Sequence, residues 1–200
     1  RYHELRRRHP EVEIMMGVGN LTELTDADTT GINALLMGII SELRIANILT
    51  TEVSPHARRA VREADVVRRI MYAAREASSL PRDFSSELLT THARKPFPDT
   101  AEEIAELART IKDPSYRIQV SEQGVHIYNR DGLHVATDPF ELFPLLNLEN
   151  DAAHAFYLGV ELARAQIAWQ LAKRYNQDEE LDWGCAVERK PKDLMQHRAP

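Results

Sequence analysis

Residues 12–18 read VEIMMGV and residues 45–49 read IANIL. Both runs are rich in apolar residues and too short for a helix, so we predict that each forms a buried strand. Between them, residues 32–43 read INALLMGIISEL, in which apolar residues recur at helical spacing. Two strands joined by a helix are typical of a parallel sheet with a right-handed crossover, and therefore of an α/β fold.

A second helix is predicted to follow the second strand. Ser54 and Pro55 combine a hydroxyl cap with proline at the first helical position, and the helix is expected to end before Pro81. For the helix between the strands, Asp28 and the two threonines after it are the candidate caps.

The second half of the chain predicts a small α+β domain. Residues 116–120, 125–127 and 133–135 alternate apolar and polar side chains around turn residues, which indicates an antiparallel meander of three strands. Asp151, with Asn150 before it, then caps a long helix. Its apolar residues spread over two faces, so we expect both faces to be buried.

The chain is therefore expected to contain four segments. They are an α/β portion over residues 1–80, a proline-containing linker over 81–100, the α+β domain over 101–181 and a polar tail over 182–200. The first residues, RYHELRRR, resemble the end of a helix already under way. We accordingly expect the chain to be the C-terminal part of a longer protein.

Composition excludes several classes of function. The 200 residues carry a net charge of −6, which argues against a nucleic-acid partner because phosphates require positive faces. Apolar runs long enough for a membrane span are absent from the sequence. The single cysteine excludes a disulfide framework and suits a reducing compartment, so we expect a cytoplasmic protein.

Polar side chains follow both predicted strands. The first loop reads GVGNLTELTDAD and the second reads TTEVS. Because the carboxyl ends of parallel strands meet at one edge of a sheet, four carboxylates should converge there, those of Glu23, Asp26, Asp28 and Glu52. Asp26 and Asp28 have an alternative role as helix caps, whereas the sequence offers Glu23 and Glu52 no such role.

The chemistry of these loops suits a flat ring with paired N–H donors. Carboxylates repel a phosphate but pair well with an amidine-like edge, such as that of a pterin or a purine. They could also hold Mg²⁺ beside a pyrophosphate. A phosphate would have to be met by helix amides, by Arg58 or by His56, which is expected near the first turn of its helix.

The stretches MMGVGNLTELTDADTTGINALLMGIISEL and ILTTEVSPHARRAVREAD resemble proteins related to dihydropteroate synthase that are associated with tetrahydromethanopterin biosynthesis. AAHAFYLGVELARAQIAWQLAKRYNQDEEL resembles the C-terminal extension of the same group. The resemblance covers residues 12–78 and 113–181, and the occurrence of both parts in one chain is more specific than either motif.

The resemblance implies the last βα units of a pterin-binding TIM barrel, followed by the α+β domain. It implies a transferase of one-carbon metabolism that condenses a dihydropterin diphosphate with an arylamine. Pterin is then the substrate and Mg²⁺ a candidate cofactor. The substrate-binding residues that match the group's pattern, with His56 added from its position, are Asn20, Thr22, Glu23, Asp26, Asp28, Asn33, Thr50, Thr51, Glu52 and His56.

The chain also departs from a true synthase. Ser-Arg-Lys after the seventh strand is replaced by Gly19-Asn20-Leu21, and Arg-x-His after the eighth by Thr51-Glu52-Val53. Neutral and acidic groups thus stand where cations would meet a leaving pyrophosphate. Two alternatives stay open: a pterin-dependent methyltransferase barrel, and a non-catalytic binding or assembly protein in which the long helix is a homodimer contact.

Overall fold

A computed structural model describes residues 1–188 as a mixed α/β structure with two small sheets. The chain divides into two units. The first contains Arg1–Leu88 together with the chain from Gly184, and the second contains Leu89–Trp183. The chain therefore crosses between the units twice, once on each side of an inserted second unit.

The first unit is built around two short parallel strands. Its elements are α1 (Tyr2–Arg8), β1 (Met15–Gly17), α2 (Gly19–Leu24), α3 (Thr29–Glu42), β2 (Asn47–Leu49) and α4 (Ala60–Glu76). The strands pair with Met16 opposite Ile48, which confirms the predicted parallel arrangement. Among the described residues this sheet has only these two strands, and they close no barrel.

The strands are less buried than predicted. Met16 and Ile48 pack with the apolar residues of α3 and α4, but Met15 and Leu49 are 63% and 59% exposed. Side chains alternate between the two faces of a strand, and only one face of this sheet is covered by the described helices. The prediction of buried strands is therefore met only in part, because the inward-facing Met16 and Ile48 are half-buried and the other strand residues are exposed.

The helix starts also differ in detail from the prediction. Pro55–Ala57 form a 3-10 turn, and α4 begins only at Ala60. Ser54 makes no side-chain cap bond, because its hydroxyl donates to the carbonyl of Glu23 at 3.4 Å. Asp28 occupies the N-cap position of α3, again without a side-chain cap bond.

The second unit contains the predicted meander and long helix. Its elements are α5 (Ala101–Thr110), β3 (Arg117–Ser121), β4 (Gly124–Asn129), β5 (Gly132–Ala136), α6 (Pro139–Leu142) and α7 (Ala152–Gln170). The strands are antiparallel in the order β3-β4-β5. Gly124 closes the first hairpin at φ +140°, where a Cβ would lie 2.8 Å from the Ala136 carbonyl oxygen.

Only one face of α7 is buried. Leu158, Leu162 and Ala165 pack into the core with β3 and β4, whereas Phe156 is 77% exposed. The expectation that both faces are covered is therefore wrong for the described residues.

The predicted linker is divided between the two units rather than lying free of them. In the second unit, the Ala93 amide donates to the Ala172 carbonyl at 2.8 Å, and Phe97 packs against the core. The buried Lys173 donates to the Thr90 carbonyl at 2.8 Å and lies 4.4 Å from the Trp183 ring centroid. Lys173 thus holds both ends of the second unit.

The predicted polar tail also begins as ordered structure. Gly184–Ala186 form a 3-10 turn, and the fully buried Cys185 donates its amide to the Glu87 carbonyl at 2.7 Å. Positions 189–200 of that tail lie outside the described residues. Within residues 1–188, every helix is too short or too polar to cross a membrane.

Arg6 gives a test of the first unit, because its guanidinium donates to the carbonyls of Pro10, Val12, Leu43 and Arg44 at 2.6–2.9 Å. We expect Arg6→Met to lower the free energy of unfolding by about 1–3 kcal/mol, since four acceptors lose a charged donor. The matched control is Arg8→Met, which loses only an exposed pair with Glu4 and should cost less than about 1 kcal/mol. Urea unfolding followed by circular dichroism measures both, and equal effects would contradict the role of Arg6.

His126 gives a test of the second unit. It is 1% exposed, its Nε2 lies 2.7 Å from Ser121 Oγ, and burial lowers its pKa from 6.5. Below about pH 6.5 the unfolded chain takes up a proton that the folded unit resists. Stability should therefore fall with decreasing pH, by at most about 1.4 kcal/mol per pH unit.

Unfolding monitored by tryptophan fluorescence between pH 7.5 and 5 measures this slope, because both tryptophans, Trp169 and Trp183, lie in the second unit. His126→Gln should remove it. The control His154→Gln, at an exposed histidine, should retain it. A slope that survives His126→Gln would show that another group is responsible.

Candidate functional site

The two loops after the parallel strands are in direct contact. The Val18 amide donates to the Leu49 carbonyl at 2.8 Å, which continues the strand pairing beyond β1. At Gly19 the backbone approaches the second loop so closely that a Cβ would lie 2.8 Å from Thr51 Oγ1. Glycine is therefore required there, and the predicted meeting of the two loops is confirmed.

Glu23 fastens the first loop to the second. Its carboxylate accepts hydrogen bonds from the Val53 amide at 2.8 Å, the Ser54 amide at 2.6 Å and the Thr51 hydroxyl at 2.9 Å. Bonds from Val53 and Ser54 lower the pKa of Glu23 from 4.5 to about 2. The stabilisation is thus present above pH 4.5 and is lost as the pH falls towards 2. Glu23 therefore has a structural role, which is to join the two loops, and the sequence did not indicate this role.

Glu52 also has a structural partner. Its Oε1 accepts the Val61 amide at 3.0 Å, so the carboxylate caps the first turn of α4. The expectation that Glu52 lacks a capping role is wrong, because the cap is supplied from nine residues upstream rather than from the residue before the helix.

Glu63 is a buried acid that the sequence analysis did not select. It is 4% exposed, and its carboxylate accepts bonds from Thr29 at 2.6 Å, Thr30 at 3.1 Å and the Asn33 amide at 3.0 Å. Its position between Ala60 and Val67, on the apolar stripe of α4, is the signal that could have indicated its burial.

Among the described residues of the first unit, three polar side-chain atoms are buried without a hydrogen-bond partner. They are Asn33 Oδ1, Thr50 Oγ1 and Arg59 Nε. The Asn33 orientation is fixed, because its Nδ2 donates to the Ala60 carbonyl at 3.3 Å and to Glu63. Buried polar atoms are usually paired, so the free hydroxyl of Thr50, directly after β2, marks a place where a hydrogen-bonding ligand can bind.

The other predicted site residues either contact one another within the two loops or are exposed to solvent. Thr22 is fully buried, and His56 Nε2 lies 3.1 Å from its carbonyl oxygen. Asn20, Asp26 and Asp28 are exposed. The structure thus brings together Thr22, Glu23, Thr51 and His56. It places Asn33 in the Glu63 network and leaves the remaining acids in solvent.

The donor set does not build a resident magnesium site. Among residues 1–188, no group of three His, Cys, Asp or Glu side chains is close enough to hold a metal ion. Glu23 and Glu52, the carboxylates nearest the strand ends, already accept protein hydrogen bonds.

A relative is found in an archaeon. An uncharacterized protein of Methanocaldococcus jannaschii is 32% identical over 202 residues, covering 89% of this chain and 38% of the relative. This chain thus spans well under half of the relative's length. No family model matches the sequence. No solved structure matches it either.

The hydrogen bonds that Glu23 accepts from the second loop predict a local change in hydrogen exchange. In Glu23→Ala the Val53 and Ser54 amides lose their acceptor and should exchange at least about tenfold faster. The Val61 amide, which bonds to Glu52, should keep its rate. Asp26→Ala, which removes an exposed acid of the same loop, is the matched control and should change none of these amides. Unchanged exchange at Val53 and Ser54 in Glu23→Ala would show that the Glu23 carboxylate does not hold these two amides.

Proposed function

We propose that the two strand-end loops form part of a pterin-binding site in an enzyme similar to dihydropteroate synthase. Its reaction would join a dihydropterin diphosphate to an arylamine in tetrahydromethanopterin or folate-type cofactor biosynthesis. In this proposal the two βα units are the last two of a TIM barrel. The observation that carries the proposal is that two acceptor atoms, Asn33 Oδ1 on α3 and Thr50 Oγ1 directly after β2, are buried without a hydrogen-bond partner.

These two atoms match the donor-rich edge of a pterin ring. Asn33 Oδ1 can only accept, and the Thr50 hydroxyl can accept or donate. A pterin offers N–H donors in the plane of its ring, which can bond to an acceptor of either kind. Glu23 then acts as a positioning residue, because its carboxylate is already engaged by the second loop.

The proposed condensation exchanges one bond for another. The arylamine nitrogen attacks the exocyclic methylene carbon of the pterin, the carbon–oxygen bond to the diphosphate breaks, and the nitrogen loses a proton. The loops would contribute mainly by holding the ring in position for this attack. Hydrogen bonds that Glu23 and Glu52 accept from backbone amides keep the loops in place before the substrate binds.

The same contacts favour methyl transfer as a second candidate. Glu52 already caps the first turn of α4, and Asp28 stands at the N-cap of α3. A carboxylate therefore lies at the N-terminus of each helix, and its negative charge disfavours the binding of a diphosphate there. A pterin-dependent methyltransferase needs the ring site but no diphosphate site. A non-catalytic pterin-binding protein would also retain the ring site.

Thr50→Val tests the ring site without disturbing the fold, because the hydroxyl that it removes has no protein partner. We expect binding of a hydroxymethyl-dihydropterin to weaken about three- to tenfold, the usual effect of one uncharged hydrogen bond. A fluorescence titration of the intact protein, with and without the diphosphate on the ligand, measures this. Thr137→Val makes the same chemical change in the second unit and should bind as the unchanged protein does.

The titration also separates the candidate functions. Tighter binding of the diphosphate form supports the condensation, whereas equal binding of both forms favours methyl transfer. Equal affinity in Thr50→Val and the unchanged protein would remove Thr50 from the site. If the unchanged protein binds neither form, both pterin enzymes are excluded.

A further inference from the structure

The orientation of one buried side-chain amide in the first unit is fixed by its neighbours. Asn33 of α3 is fully buried, and its Nδ2 donates to the Glu63 carboxylate at 3.0 Å and to the Ala60 carbonyl at 3.3 Å. A carboxylate and a carbonyl can only accept, so an amide turned the other way would set its oxygen against two acceptors. Asn33 Oδ1 is therefore the end of the amide that lacks a protein partner.

The Glu63 carboxylate is itself held by two hydroxyl groups. Thr29 and Asn33 both donate to its Oε2, whereas Thr30 donates to its Oε1. Because each carboxylate oxygen has a donor from α3, the buried group has one favourable orientation, in which Oε2 faces Asn33. Glu63 thus determines which atom of the Asn33 amide remains free.

We propose that Glu63 is a positioning residue that makes the pterin site select the amino group of the ring. This inference rests on the proposed function. Asn33 Oδ1 accepts an N–H bond from the exocyclic amino group, which projects from the ring and can therefore reach a recessed atom. A ring carbonyl in the same place would face Asn33 Oδ1 as a second acceptor and be rejected. Glu63 touches no ligand and acts only through Asn33.

Two ligands that differ at one position test this selection. They are a hydroxymethyl-dihydropterin and its analogue in which a carbonyl oxygen replaces the exocyclic amino group. In fluorescence titrations of the intact protein, the pterin should bind at least about tenfold more tightly than the analogue, because the analogue loses a hydrogen bond and leaves a buried acceptor unpaired. Equal binding of the two ligands would overturn the proposal and leave the pterin site standing.

Substitutions at Glu63 separate positioning from packing. Glu63→Met removes the acceptor that orients Asn33, so the preference for the pterin should fall below about threefold. Glu63→Gln should keep the preference, because its amide oxygen can accept from Asn33 and Thr29 while its amide nitrogen donates to Thr30. The control Thr30→Val removes the bond to Oε1 alone and should also keep it. An equal loss of preference in Thr30→Val and Glu63→Met would show a merely structural role and overturn the proposal.

A second measurement uses the unchanged protein and does not depend on the folding of any variant. The side-chain NH2 resonances of Asn33 should shift as the hydroxymethyl-dihydropterin saturates the protein, because a donor on Oδ1 polarises the same amide. Resonances that stay in place while the pterin binds would show that a buried water, and not the ligand, bonds to Oδ1, which would overturn this inference alone. If neither ligand binds, the proposed function fails and this inference fails with it.

Discussion

The buried carboxylate of Glu63 is the interaction on which the arrangement of the first unit depends. It lies on α4, while its donors Thr29, Thr30 and Asn33 lie on α3. The bonds therefore fix the start of one helix against the first turns of the other. Because α3 follows the loop after β1 and α4 follows the loop after β2, the same carboxylate holds the far ends of the two loops together. A fully paired buried polar group of this kind specifies one arrangement rather than several.

The elements of this chain could be predicted because they depend on local periodicity. The run 32–43 gives α3, and the alternating runs after Tyr116 give the meander, since apolar spacing distinguishes helices from strands. Capping by adjacent residues was less reliable. Ser54 bonds to Glu23 instead of its own helix, and α4 starts five residues later than expected.

The partners of the acids could not be predicted in the same way. Glu23 bonds to residues about thirty positions away, and Glu63 bonds to residues a similar distance before it. No local pattern encodes such pairs. The exposed face of α7 shows a related limit, because apolar spacing alone does not show which faces of a helix the rest of the chain covers. The prediction of two buried faces on α7 is wrong for the described residues.

Because the chain crosses between the units twice, the second unit is an insertion within the sequence of the first. On the side of the first unit, the Glu87 carbonyl and the Cys185 amide share a hydrogen bond of 2.7 Å. On the side of the second unit, one lysine, Lys173, contacts both Thr90 and Trp183. The two ends of each unit are thus held together by contacts within that unit. Loss or gain of the whole segment between these ends would therefore leave the bond between Glu87 and Cys185 of the first unit intact.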